Sequence, residues 1–139
     1  MKKTGKIVVL DSDSDMVNGL ELSLIAEGYE VVSAVIRDFS SGLRDVIEFI
    51  KVNHPAVVIY DVVPPVLQNA RYLEIMMLAG LVDPETLIVT CTLPEELKQL
   101  TGIDSFELLP KPFNLDELLT LVAKKIGTGI RKGLWDAAM

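Results

Sequence analysis

Ala56-Val57-Val58-Ile59-Tyr60-Asp61 is a run of apolar and aromatic residues that ends on a carboxylate. A strand with one wet face alternates apolar and polar side chains. A short β-branched run without that alternation reads as a strand buried on both faces, as in a parallel sheet. Three further runs share the pattern, at 7–10, 31–35 and 87–89, and a weaker one lies at 106–109. Helical spacing fills the intervals. Asp13 and Ser14 are good N-caps, Met16, Leu20 and Leu24 recur every four residues, and Gly28 ends that helix. Leu43, Val46, Ile47 and Ile50 form a second stripe that stops before Pro55. Leu73, Met76, Met77 and Gly80 suggest a third helix, and residues 94–100 a short fourth. Asn114 and Glu117 have capping-box spacing ahead of Leu115, Leu118, Leu119, Val122 and Ile126.

The pattern is therefore β-α repeated five times. Right-handed crossovers turn it into an α/β fold, a five-stranded parallel sheet with helices on both faces. Residues 127–139 hold three glycines and Trp135 and read as a tail or linker, which leaves a domain over 1–127 and a tail over 128–139.

Composition narrows the function. The chain has 139 residues, half of them hydrophobic, enough for one domain with a real core. Its net charge of −7 disfavours direct binding to nucleic acid, which needs clustered Lys and Arg. Cys91 is the only cysteine, so no intrachain disulfide and no thiolate metal cluster forms, which fits a reducing compartment. The apolar run behind the basic start is too short for a signal peptide, and no stretch approaches the roughly 20 residues of a membrane span. A cytoplasmic location with no membrane contact is expected.

Ligands of open parallel sheets bind at the carboxyl ends of the strands. Here the first strand ends in Asp11-Ser12-Asp13-Ser14-Asp15, the third in Asp61 and the fourth in Thr90, and Lys111-Pro112-Phe113 follows the fifth. Carboxylates gathered at one edge repel unless a hard divalent cation or the lysine neutralises them. A carboxylate beside such charge is a credible phosphoryl acceptor, with Lys111 and Thr90 placed to share the charge of the transferring group.

At these residues the chain resembles the response-regulator receiver domains of two-component signalling. The resemblance is carried by Val8-Val9-Leu10-Asp11, by Val58-Ile59-Tyr60-Asp61 with Pro65 four residues on, by Ile88-Val89-Thr90 and by Pro110-Lys111-Pro112-Phe113. It spans roughly residues 5 to 127. It implies a flavodoxin-like (βα)5 fold with strand order 2-1-3-4-5, and a signalling phosphoacceptor rather than an enzyme. Asp61 is then the phosphoacceptor, Thr90 the switch hydroxyl and Lys111 the phosphate-contacting lysine, aimed inward by a cis Lys111–Pro112 bond. Asp11, Asp61 and the Val63 backbone carbonyl would hold Mg2+, with Ser12 or Asp13 as a further ligand. The implied partners are a histidine kinase or histidine phosphotransfer protein and a downstream protein target or effector domain, and a homodimer is compatible. Phosphorylation would shift a two-state balance on the face of the fourth helix and fifth strand.

Several positions depart from the family pattern. Ser12 stands where a second acid normally binds magnesium, so weak metal affinity is expected. Val66-Leu67-Gln68-Asn69 lacks the usual Asp-Gly turn. Leu108 occupies the place of the switching aromatic, with Phe106 out of register, and the stretch 35–42 is longer than usual. These departures support an alternative, a degenerate pseudo-receiver that signals through protein contacts alone.

The acidic cluster has two other readings. A calcium loop wants Gly at its sixth position and an acid at its twelfth, where Met16 and Leu22 stand. The Asp11-x-Asp13 pair with a later Thr and Lys also resembles haloacid-dehalogenase phosphatases, but the second acidic pair available, Asp116-Glu117, lies in the last helix. His54 reads as a helix-end residue, Cys91 as buried packing, Met76 and Met77 as core, and Trp135 as a surface residue or partner contact.

Overall fold

The computed structural model describes residues 5–12, 14–40, 45–82, 85–101 and 107–132. The expectations for Asp13, Leu43, Phe106 and Trp135 lie outside them. The strands are β1 (Lys6–Asp11), β2 (Glu30–Val35), β3 (Val57–Val62), β4 (Leu87–Cys91) and β5 (Glu107–Pro110). They form one parallel sheet in the order β2-β1-β3-β4-β5, as the resemblance implies. The helices are α1 (Ser14–Ala26), α2 (Arg37–Ser40), α3 (Val46–Asn53), α4 (Val66–Asn69), α5 (Arg71–Leu78), α6 (Pro94–Thr101) and α7 (Leu115–Lys132).

Successive strand residues face opposite sides of a sheet, and here both sides are covered, which is why the runs are continuously apolar. Ile7, Val9, Val57, Ile59 and Ile88 pack against Leu20 and Leu24 of α1 and Leu118, Val122 and Ile126 of α7. Val8, Leu10, Val58, Tyr60, Val62 and Val89 pack on the other side against residues of α2 to α6, including Phe39, Ile50, Val66, Leu73 and Leu97. Asp61 and Thr90 continue the first set, so the fold aims their side chains toward the α1 and α7 side.

The ends of the elements follow local chemistry. Gly28 lies at φ +97° and closes α1, its N–H donating to the Ile25 carbonyl at 2.9 Å while the Tyr29 N–H reaches Leu24 at 3.2 Å. His54 ends α3 in the same left-handed region at φ 45°, a helix-end residue as its sequence position suggests. The Asn114 Oδ1 accepts from the Asp116 N–H at 2.8 Å and caps α7.

Four details differ from the sequence reading. Met16 is exposed, and the buried stripe of α1 is Val17, Leu20 and Leu24, because the helix presents the i, i+3, i+7 set to the sheet. The third helix is α5, and the stretch before it, read as a loop, holds the short helix α4. The long stretch after β2 contains α2, anchored by Phe39, whose ring meets Phe49 edge-on at 5.8 Å and Tyr72 at 6.2 Å. The last helix runs to Lys132, so the expected start of a tail at 128 falls inside α7. Ile126, just before that point, is buried, and a Cβ on Gly5 would lie 2.7 Å from its Cδ1. No helix among the described residues is long and apolar enough to cross a membrane.

Candidate functional site

Strand pairing assembles the site. Asp61 and Thr90 are register partners across β3 and β4, and both are buried. The Thr90 hydroxyl donates to Asp61 Oδ1 at 2.6 Å. Lys111 arrives from the loop after β5, which is pinned by its backbone N–H on the Cys91 carbonyl at 2.8 Å. The Lys111–Pro112 bond is cis, as is Pro64–Pro65. The Lys111 Nζ lies 2.6 Å from Asp61 Oδ1, with 20% of its side chain exposed against 2% for the aspartate.

Two donors thus converge on one carboxylate oxygen, and the other is left over. Asp61 Oδ2 is buried and has no hydrogen-bond partner. Buried polar atoms are nearly always satisfied, and an exception calls for a reason. Here the ammonium balances the charge of the carboxylate while one oxygen keeps its lone pairs, the condition a nucleophile needs.

Asp11 is buried at the end of β1. Leu10 pairs with Tyr60, so Asp11 and Asp61 are the next residues on neighbouring strands. The remaining residues assigned to a metal are placed differently. Ser12 is exposed, and Asp13 lies outside the described residues. The Val63 carbonyl accepts from the Asn69 amide at 2.7 Å, and the Asn69 carbonyl in turn accepts from the Tyr60 hydroxyl at 2.8 Å. Sequence reasoning gave Asn69 no role, because a polar residue in a turn carries no signal of which carbonyl it reaches.

Magnesium demands near-octahedral oxygen ligands and gives up its waters reluctantly. In this site one Asp61 oxygen already faces an ammonium, the Val63 carbonyl holds an amide, and Ser12 offers only a neutral hydroxyl. Among the described residues no group of three or more His, Cys, Asp or Glu is placed to hold a metal. Asp11 and Asp61 are the two carboxylates of this donor set, and Ser12 adds no third.

Neighbouring groups are tuned by burial. The Tyr60 hydroxyl is pushed well above the usual phenol range by burial, with Tyr72 and Asp61 adding to the shift. The Cys91 thiol is pushed up mainly by burial, which keeps it protonated and inert and agrees with a packing role. Leu108, at the position of the family's switching aromatic, is half-buried on β5.

No family model and no curated protein matches the chain by sequence. Solved structures do match. The receiver domain of a Francisella response regulator is 21% identical, with 90% of this chain and 98% of that one covered at a TM-score of 0.66. A response regulator receiver protein from Sinorhizobium medicae is 21% identical, covering 91% and 98% at 0.63. A response regulator receiver modulated diguanylate cyclase from Pelobacter carbinolicus is 23% identical, covering 96% and 98% at 0.63. This chain has the fold of receiver domains.

Proposed function

We propose that this receiver-fold chain is a signalling switch that accepts a phosphoryl group on Asp61 from a histidine kinase or a histidine phosphotransfer protein. One observation carries the reading: Lys111 and Thr90 both hold Asp61 Oδ1, while Oδ2 is unpartnered. Attack by a carboxylate oxygen on the phosphorus of a phosphohistidine breaks the P–N bond and leaves an acyl phosphate on Asp61. The imidazole departs with the electron pair and takes up a proton. Lys111 neutralises charge on the transferring oxygens, and Thr90 gives up Asp61 Oδ1 for a phosphoryl oxygen. Because Thr90 lies on β4 beside β5, its movement is passed to the face formed by α6 and β5, where a target protein or effector domain would read it.

Incubation with acetyl phosphate, followed by intact-protein mass spectrometry, tests the proposal. The expected result is a gain of one phosphoryl mass, lost in Asp61→Asn and recovered as free protein after mild alkali. No adduct at high donor concentration, with or without magnesium, refutes it.

The second reading, a binding module that signals without phosphorylation, is supported by the Asn69 amide on the Val63 carbonyl and by Ser12. It expects Asp61→Asn to leave partner binding unchanged, whereas the phosphoacceptor reading expects binding to respond to the donor.

A further inference from the structure

A cavity of about 420 Å3 opens beside the carboxyl ends of β1, β2 and β3, and Ser12, Arg37, Gln68, Asn69, Arg71 and Tyr72 contribute to its walls. Two arginines lining one recess is unexpected in a chain of net charge −7. They come from different elements. Arg37 begins α2 directly behind β2, and Arg71 begins α5. What brings them together is the aromatic contact beneath: Phe39, two residues after Arg37, meets Tyr72, the neighbour of Arg71, at a ring separation of 6.2 Å. The α2 insertion therefore has a consequence, because its buried Phe39 fixes the place of Arg37.

The cavity is tied to the Asp61 centre at two points. Ser12 directly follows buried Asp11. Asn69 lines the recess and also holds the Val63 carbonyl and the Tyr60 hydroxyl, on either side of Asp61 in sequence. Arg37 and Arg71 thus line the same recess as Ser12, which stands where the family pattern has an acidic metal ligand. Guanidinium groups bind phosphate oxygens through paired N–H donors, and two of them in one recess favour a dianion over chloride. The volume is at the small end of ligand pockets and suits a phosphate-sized group with some of its waters.

We infer that Ser12, Arg37 and Arg71 form a phosphate-dianion site beside the loops that follow β1 and β2, next to the strand ends that carry Asp11 and Asp61. Binding at this site is independent of the phosphoacceptor reading, and only its role in orienting a phosphodonor rests on that reading.

The test titrates inorganic phosphate into the full chain in EDTA, followed by 1H–15N NMR of backbone amides and arginine side chains. Saturable shifts at Ser12, Arg37 and Arg71 are expected, retained in Asp61→Asn and weakened at least tenfold in Arg37→Ala/Arg71→Ala. Arg71→Gln, an exposed single change, should weaken binding several-fold if the double variant does not fold. Shifts that stay linear in phosphate, or that the arginine variants leave unaltered, overturn the site. A parallel arm measures the acetyl phosphate adduct in EDTA and again with magnesium. Saturable phosphate binding without any adduct upholds the site and sinks the phosphoacceptor reading; an adduct without binding at the arginines does the reverse.

Discussion

Asp61 is a buried carboxylate whose negative charge is answered mainly by Lys111, and that pairing sets the energetics around it. Removing one partner of a buried pair leaves an uncompensated charge, at a cost of about 3 kcal/mol, whereas removing both costs much less. Lys111→Met should therefore destabilise the chain by about 3 kcal/mol in urea unfolding, and adding Asp61→Asn should recover more than half of the loss. Strict additivity of the two changes would contradict the pairing. Tyr60 gives a second test at this scale. Its phenol pKa is raised in the folded chain, so folding keeps a proton that the unfolded chain gives up. That stability is complete below the ordinary phenol value of about 10 and is lost as pH rises beyond it. Tyr60→Phe loses the bond to the Asn69 carbonyl, at a cost of about 1 kcal/mol at pH 7. The deficit should shrink or reverse at about pH 11, and a deficit that does not change with pH would count against the assignment. Asp61 and Lys111 could be picked out from sequence because each follows an apolar run and Lys111 sits between two prolines. Thr90 was harder, since a β-branched residue belongs in any strand, and only its register opposite Asp61 distinguishes it.

The elements show where local chemistry decides and where packing does. Three helices close through a left-handed residue, α1 and α5 with glycine and α3 with histidine. An L-residue in that region costs roughly 1–2 kcal/mol, which Gly28 avoids and His54 does not. Gly28→Ala should destabilise by about 1 kcal/mol, while His54→Gly should be neutral to stabilising by about 0.5 kcal/mol, as the freer unfolded chain offsets part of the gain. Chemical denaturation of the two variants checks the opposite signs, and a loss of stability in both would show that His54 contributes more through its contacts than its backbone costs. The strands were readable to within two residues at either end because burial on both faces leaves continuous apolar runs. The short helices α2 and α4 were not. Phe39 anchors α2 against Phe49 and Tyr72, Asn69 ties α4 to the Val63 carbonyl, and neither helix has a cap or periodicity long enough to stand out.

At the scale of the molecule, the sheet order gathers the loops after β1, β2 and β3 at one edge, so any ligand held there by the folded chain adds to global stability. A ligand that binds only the native state stabilises it by RT ln(1 + [L]/Kd). Weak magnesium binding is the expectation from Ser12, and a dissociation constant of about 10 mM or weaker corresponds to less than about 0.4 kcal/mol at 10 mM metal. Orthophosphate at ten times its dissociation constant should instead contribute about 1.4 kcal/mol. Unfolding is best compared at matched ionic strength, because a chain of net charge −7 gains from any added salt through screening of its self-repulsion. Against a sodium chloride reference, magnesium should leave the unfolding midpoint nearly unchanged and phosphate should raise it, with the increase absent from Arg37→Ala/Arg71→Ala. A magnesium effect above about 1 kcal/mol, equivalent to a dissociation constant near 2 mM, would mean that Asp11 and Asp61 do close around the ion. The Asn69 amide would then have to leave the Val63 carbonyl to make room, and loss of its hydrogen-exchange protection on adding metal would mark that rearrangement.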